Sequence, residues 1–258
     1  MPDVAATKVV TACLLIIGNE ILSGRTKDSN MAFIAGRLTE LGIRLMEARV
    51  VPDIEATIVA TLNEVRARFD YVFTTGGIGP THDDITAECV AKAFGLRLIQ
   101  HPEAMRRMTA HYQRQGTEFN EARKRMARTP EGATLIDNPV STAPGFQIGN
   151  VHVMAGIPQV MQAMFDGMKH RLVGGAPVMS RAVSGFLPEG IIAAELGQLQ
   201  QRYPEIEIGS YPFQRQGKAG STIVLRGTDR ARLEAATEEY RQLHRRLGGD
   251  PIDGETTG

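Results

Sequence analysis

The sequence predicts an α/β protein: a three-layer α/β/α domain with a mostly parallel sheet, followed by a small α+β domain. Three observations carry this reading. Continuous apolar runs of strand length alternate with amphipathic helical stretches through short links, a pattern that builds right-handed crossover units. One run, Val72-Phe-Thr-Thr75, ends in the turn Gly76-Gly-Ile-Gly79 and leads into a helix, which places a ligand-type loop at the carboxyl end of a strand. After about residue 174 the pattern changes to shorter strands and two helices with no visible chemistry. The expected boundaries are 1–173 for the first domain, 174–247 for the second and 248–258 for a flexible Gly/Asp/Thr tail.

The first element is Val9-Val-Thr-Ala-Cys-Leu-Leu-Ile-Ile17, an uninterrupted apolar run stopped by Gly18-Asn-Glu20, and it reads as a central strand carrying Glu20 at its end. Thr26-Lys-Asp-Ser-Asn30 then opens a helix with Met31, Ile34, Leu38 and Leu41 on one face. Residues 43–51 form a second strand, and Pro52-Asp53 precedes a helix with Ile54, Ile58, Leu62 and Val65 at helical spacing. These crossovers bring Glu20, Asp28 and the Gly76 turn to one edge of the sheet.

At that turn Gly76, Gly77 and Gly79 let a ligand approach the main chain, so that successive N–H groups can cradle a phosphate. A helix beginning near Asp84 adds its positive end, and Thr81 offers a hydroxyl. Asp83 and Asp84 stand where the anion would bind, an arrangement that calls for a mediating cation such as Mg²⁺. The alternative is plain helix capping by the acids and a tight turn by the glycines. The set is neither a Walker A loop nor a Rossmann fingerprint. His82 reads as an exposed spectator.

Further along, Ile85, Cys89, Val90, Ala93 and Phe94 mark a helix that Gly95 ends. The basic stretch from Pro102 to Met126 reads as a solvated helical face, with a lid or dimer arm as the alternative. Short strands at 134–136 and 151–154 flank the turn-rich segment Asn138-Pro-Val-Ser-Thr-Ala-Pro-Gly145, and Ala155-Gly-Ile-Pro158 opens a helix whose methionines read as core. The second domain is read as strand 178–186, helix 188–203, strands 206–211 and 222–226, and helix 230–247.

With 258 residues, 42% hydrophobic and 22% charged, the chain is long enough for these two domains. Lys plus Arg and Asp plus Glu both number 29, so no global field favours nucleic acid or a membrane surface. No run approaches the roughly 20 apolar residues of a membrane span. Met1 to Lys8 has the wrong pattern for a secretory signal, and Cys13 and Cys89 lack metal spacing, so a cytoplasmic protein is expected.

Gly76-Gly-Ile-Gly-Pro-Thr-His-Asp-Asp-Ile-Thr86 resembles the signature of the molybdopterin-binding (MoaB/Mog-like) domain family. That family includes molybdenum-cofactor biosynthesis proteins, competence/damage-inducible protein A and the amino-terminal domain of FAD synthases. Ile17-Gly-Asn-Glu-Ile-Leu-Ser-Gly24, Asp28-Ser-Asn30, Ser141-Thr-Ala-Pro-Gly145 and Gly156-Ile-Pro158 resemble its other motifs. Val160 stands where competence-type relatives often have Glu, and Met126 where Gln is common; the form of the Gly76 turn, Gly156-Ile-Pro158 without that Glu, and Ile208-Gly-Ser-Tyr-Pro212 look closer to the FAD synthase domain. The nicotinamide mononucleotide deamidase domain of longer relatives finds no counterpart, so deamidation is not expected.

The resemblance implies Mg²⁺-dependent hydrolysis of a nucleotide pyrophosphate of the ADP-ribose or FAD type. Asp84, Asp28 and Glu20 would be catalytic, and Asp84, Asp28 and Asp83 would hold metal. Gly76, Gly77, Gly79, Thr81, Asn30, Ser141, Thr142, Gly145 and Gly156 would line the phosphate or ligand site. The alternatives are a molybdopterin-binding protein of molybdenum-cofactor biosynthesis and a non-catalytic nucleotide-binding regulator. A nucleotide or pterin phosphate is the expected partner, and a homo-oligomer, dimer or trimer, the expected assembly.

Overall fold

The computed structural model describes residues 9–215 and 217–254. The expectations for Met1 to Lys8 and for the last four residues lie outside the described residues. The chain divides into two compact units, the first ending at Gly175 and the second starting at Ala176.

The first unit runs β1 (Val10–Ile17), α1 (Asn19–Leu22), α2 (Asn30–Glu40), β2 (Ile43–Val51), α3 (Glu55–Arg68), β3 (Tyr71–Thr75), α4 (Thr86–Phe94), β4 (Leu98–Gln100), α5 (Pro102–Arg114), α6 (Glu121–Arg125), β5 (Arg128–Pro130), β6 (Thr134–Ile136), β7 (Gly145–Ile148), β8 (Val151–Met154) and α7 (Pro158–Met168). Its main sheet has the order β2-β1-β3-β8-β7-β6. The first four of these strands are mutually parallel, and β7 and β6 close one side antiparallel.

The uninterrupted apolar run of β1 is explained by burial on both faces. Ala12, Leu14 and Ile16 pack with Ile34 and Leu38 of α2 and with Met161, Met164, Phe165 and Met168 of α7. Cys13, Leu15 and Ile17 face the other way, onto Ile58, Leu62 and Val65 of α3 and Cys89 and Val90 of α4. Strand residues alternate faces, so one strand feeds two cores and the three layers follow. Both cysteines are free and buried; burial pushes the Cys13 thiol up to about 11 and the Cys89 thiol to about 12.

His152 of β8 is 1% exposed, both its ring nitrogens find no hydrogen-bond partner among the described residues, and its ring packs against Tyr71 and Phe73. Burial, with a smaller contribution from Arg171, pushes its pKa down to about 4. The unfolded chain binds this proton near the ordinary value of 6.5 and the folded chain only near pH 4. Stability is therefore lost as pH falls through that window, by about 2 kcal/mol at pH 5 from this group alone. His152→Phe is expected to flatten this acid limb in urea-unfolding midpoints taken across pH; an unchanged limb would show that the histidine does not set it.

The second unit runs β9 (Met179–Gly185), α8 (Glu189–Arg202), β10 (Glu207–Arg215), β11 (Lys218–Gly227), α9 (Arg230–Arg246) and β12 (Ile252–Asp253). Its sheet, ordered β10-β11-β9-β12, is antiparallel throughout. Val183, Ile223 and Leu225 pack under Ile192 and Leu199 of α8 and Leu233, Ala236 and Tyr240 of α9. The expected flexible tail is corrected here: Ile252 and Asp253 pair with Ser184 and Val183, and the Gly254 amide donates to the Ala182 carbonyl. Backbone pairing, which composition does not reveal, holds the chain through Gly254. Among the described residues no helix is long and apolar enough to cross a membrane.

Candidate functional site

Four loops at the carboxyl ends of β1, β3 and β8 and before β7 surround a cavity of about 460 Å³, within the size range of small-molecule sites. Its wall includes Glu20, Thr26, the Gly76–Pro80 turn and Asp84. Met126, Asn138, Ser141, Ala143 and the Ala155–Pro158 opening of α7 complete most of the remainder, together with Val160.

The loop after β1 is pinned at its base by the Gly18 amide on the Val51 carbonyl (3.1 Å) and the Asn19 amide on Asp53 Oδ2 (2.9 Å). Glu20, on the single turn of α1, folds back over Gly18, where an added Cβ would stand 2.5 Å from both carboxylate oxygens. Asp28 accepts from the Asn30 and Met31 amides at 3.3 and 3.0 Å and so caps α2. The Asn30 side chain donates through Nδ2 to the Gly156 carbonyl at 2.9 Å, tying this loop to the start of α7.

The turn after β3 needs its first two glycines for steric reasons. Gly76 has φ 99° and Gly77 φ 67°, and a Cβ on Gly76 would collide with the Ile17 carbonyl oxygen. Thr86, first residue of α4, locks the turn: its hydroxyl donates to the Gly76 carbonyl and its amide to that of Gly77, each at 3.0 Å. The Gly76 amide is used on Met154. The next three residues, Gly77, Ile78 and Gly79, line the cavity, and their amides meet no protein acceptor among the described residues. Behind the turn Arg128 and Arg125 reach Glu88 at 2.7 and 3.8 Å, and Asp84 borders the same recess, so two guanidiniums there face two carboxylates.

Helix α4 begins at Thr86 and its N-cap is Ile85, which makes no side-chain cap, so neither acid caps the helix. Asp84 Oδ2 instead accepts from the Thr81 amide (2.8 Å) and hydroxyl (2.5 Å), closing the turn on itself while the residue lines the cavity. Thr81 therefore serves Asp84 and does not line the cavity. Asp83 is exposed and also lies outside the cavity wall.

The segment before β7 is ordered by Asn138, whose Oδ1 accepts from the Val140 and Ser141 amides and whose Nδ2 donates to Ser141 Oγ (2.6 Å) and the Ala143 carbonyl (2.8 Å). Ser141 thus keeps its hydroxyl proton for the cavity it lines. Thr142 does not line it: at φ 68° the residue turns to place its hydroxyl 2.9 Å from His111 Nδ1 of α5. Gly145 is likewise absent from the wall, being the buried first residue of β7 packed on the Val153 carbonyl. Gly156 does line it, and a Cβ there would lie 3.2 Å from Gly76 Cα. In the basic stretch, Arg106 and Arg107 pair with Glu103, and Arg107 also with Asp137, so these two follow the solvated-face expectation.

The metal set Asp28, Asp83 and Asp84 is not brought together. Among the described residues no three His, Cys, Asp or Glu side chains form a group able to hold a metal ion. Asp84 lines the main cavity, Asp28 lines a smaller chamber beside it, Asp83 lines neither, and of these acids only Glu20 lines both. The three acids thus do not fit Mg²⁺ as a set.

Three layers, a mostly parallel sheet and an amide-lined turn at its carboxyl edge define a small-molecule-binding α/β domain, here followed by a small antiparallel α+β unit. The family described as "Probable molybdopterin binding domain" matches residues 13–174, and "FAD synthase, middle domain" matches residues 177–247. The chain belongs to the first of these families, in its CinA-type, MoaB/Mog-like form. It is 34% identical to the solved structure of CinA, of unknown function, from Thermoplasma acidophilum, with a TM-score of 0.58 over 62% of this chain and 96% of that one. A CinA-like protein of Geobacter metallireducens is 36% identical over 260 residues, which is 94% of this chain and 62% of the relative. A protein of Archaeoglobus fulgidus is 32% identical over 89% of this chain and 96% of its own length.

Sequence reasoning did not find Thr26, Asn138, Ile78 or Ala143 as wall residues. Asn138 precedes Pro139 in a turn-rich segment, Ile78 and Ala143 sit inside quoted motifs whose glycines and hydroxyls drew the attention, and no local signal marks Thr26. Met126 and Val160, noticed only as departures from the relatives, both line the cavity and make its wall more apolar.

Proposed function

We propose that the first unit binds a nucleoside pyrophosphate of the ADP-ribose or FAD type and hydrolyses its diphosphate bond. The observation that carries this reading is the run of three residues, Gly77 to Gly79, whose amides have no protein acceptor among the described residues, in the wall of an otherwise largely apolar cavity that also has Glu20 and Asp84 in its wall. The amides donate to a phosphate that would otherwise leave them unsatisfied. Ile78, Met126, Ile157 and Val160 offer an apolar wall to a planar ring, and the Ser141 hydroxyl donates to its polar edge. Glu20 accepts the proton of a water that attacks phosphorus; the bridging P–O bond breaks, giving AMP and a second phosphomonoester. Asp84 acts by holding Thr81 and hence the turn.

A pterin phosphate is the second reading, favoured by the family to which the chain belongs; the same apolar wall and amide turn suit it. The test is incubation of the pure protein with ADP-ribose, FAD, NAD and an adenylylated pterin, with AMP as readout. AMP release from one of the first three supports hydrolysis, and tight retention of the pterin without turnover supports the second reading. Binding without any turnover would make the protein a nucleotide-binding regulator. Asp84→Asn is expected to raise KM about tenfold or more while shifting the thermal midpoint little, because a neutral amide oxygen accepts the two Thr81 protons more weakly than the charged carboxylate oxygen does.

A further inference from the structure

Among the described residues Thr142 is the one residue other than glycine with a positive φ, 68°. A β-branched side chain crowds the backbone in this left-handed conformation, which glycine adopts freely, so a threonine there carries a cost. Such a residue persists where its surroundings hold it and its side chain supplies what glycine cannot. Thr142 does not line the cavity. Its hydroxyl stands 2.9 Å from His111 Nδ1 of α5, a partner outside the loop.

Arg107, four residues earlier on α5, pairs with Asp137, so two side chains of one helix face reach the two ends of the segment that contains Asn138 and Ser141. The Arg107–Asp137 pair is exposed and contributes little by itself. Met108 of the same helix packs with Ala127 and Leu135 in a cluster that also takes in Met126 and Ala143, two residues of the cavity wall. The His111 ring is backed by aromatic contacts. Tyr112 meets it at 5.4 Å and 84°, Phe119 stacks on Tyr112 at 5.1 Å, and the Arg123 guanidinium lies 4.7 Å from the centre of the Tyr112 ring. Inside the loop the Thr142 amide donates to the Asn138 carbonyl at 3.0 Å, and the Asn138 side chain accepts from the Val140 and Ser141 amides. These bonds set the left-handed angle, and the His111 contact offsets what the threonine side chain costs at that angle.

We propose that His111 is a positioning residue for the cavity: through the Thr142 hydroxyl it fixes the loop and so keeps Asn138 and Ser141 in the wall. The inference rests on the reading of the cavity as a nucleotide site. His111 does not itself line the cavity, so it takes no part in bond cleavage, and its loss weakens the hold on substrate and transition state alike. Thr142→Gly removes both the cost and the clasp, and in that chain His111 has nothing left to hold. This separates the clasp from any general support that His111 gives to α5.

The test is a cycle of His111→Ala, Thr142→Gly and the double variant in the full chain. Each is read as KM and kcat for AMP release from ADP-ribose and, without nucleotide, as exchange of the Val140, Ser141 and Thr142 amide protons by NMR. His111→Ala alone should raise KM about fivefold to tenfold, the worth of one hydrogen bond, with kcat within about twofold, and should speed the three exchanges by a similar factor. Added to Thr142→Gly, the same change should alter both readouts by less than about twofold. His111→Asn, whose amide reaches the place of Nδ1, should restore KM to within about twofold of wild type. Equal effects of His111→Ala with and without Thr142→Gly would overturn the proposal, as would unchanged KM and unchanged exchange in His111→Ala. If the wild-type chain releases no AMP from ADP-ribose, the proposed hydrolysis falls, and the exchange cycle alone decides the clasp. Exchange that quickens in His111→Ala only while Thr142 is present then supports it, and exchange that is the same in all four chains overturns it.

Discussion

Gly76→Ala is expected to destabilise the first unit by about 3 kcal/mol or more, the largest effect of any single methyl addition at the site. Two costs coincide there. The backbone sits at φ 99°, which L side chains rarely adopt, and the new Cβ would strike the Ile17 carbonyl of the neighbouring central strand. A flexible side chain could swing aside, but a carbonyl in the middle of a parallel sheet cannot do so without disturbing β1. Gly95→Ala is the informative control: φ is 65° at the αL end of α4, yet the space is open, so only the conformational cost of about 1 kcal/mol applies. Urea unfolding of the two variants decides the matter. Equal losses would mean that the approach of the turn to β1 contributes nothing.

The second large effect is expected for Glu20→Gln. Under the proposed hydrolysis this carboxylate accepts a proton, and an amide of the same size cannot, so AMP release should fall by about 10²–10⁴-fold. The carboxylate is exposed, sits on one turn of helix and lies over Gly18 with no hydrogen bond to another side chain among the described residues, so stability should change little. Steady-state AMP release and the thermal midpoint separate the two. A variant that turns over at the wild-type rate would remove Glu20 from the chemistry.

What could be read beforehand follows the range of the forces involved. The apolar run of β1 and the glycine turn after β3 are local signals, and they place the sheet, its carboxyl edge and the amide cradle correctly. Asp28 shows the limit of such signals: a carboxylate before a helix reads the same whether it caps or binds, and here it caps α2 while bordering the small chamber. Thr142 shows another limit. Its neighbours suggest a ligand loop, but its own φ turns it to His111, and that angle is set by the Asn138 hydrogen bonds around it. Asn138 and Ala143 enter the wall only because β8 pairs with β3 and β7 returns antiparallel beside it, a closure over tens of residues that no short window contains. The strand at Ile252 was hidden for the same reason, since its partner lies in β9.

The link between Asn30 and Gly156, 126 residues apart along the chain, together with the abutment of Gly156 on Gly76, joins three distant loops at one point. No fragment ending before α7 can possess the finished pocket, and occupancy therefore reports completion of the whole first unit. Native-state hydrogen exchange should show the consequence: a tight ligand slows amide exchange in β1, β3 and β8 together, as one cooperative opening rather than three local ones.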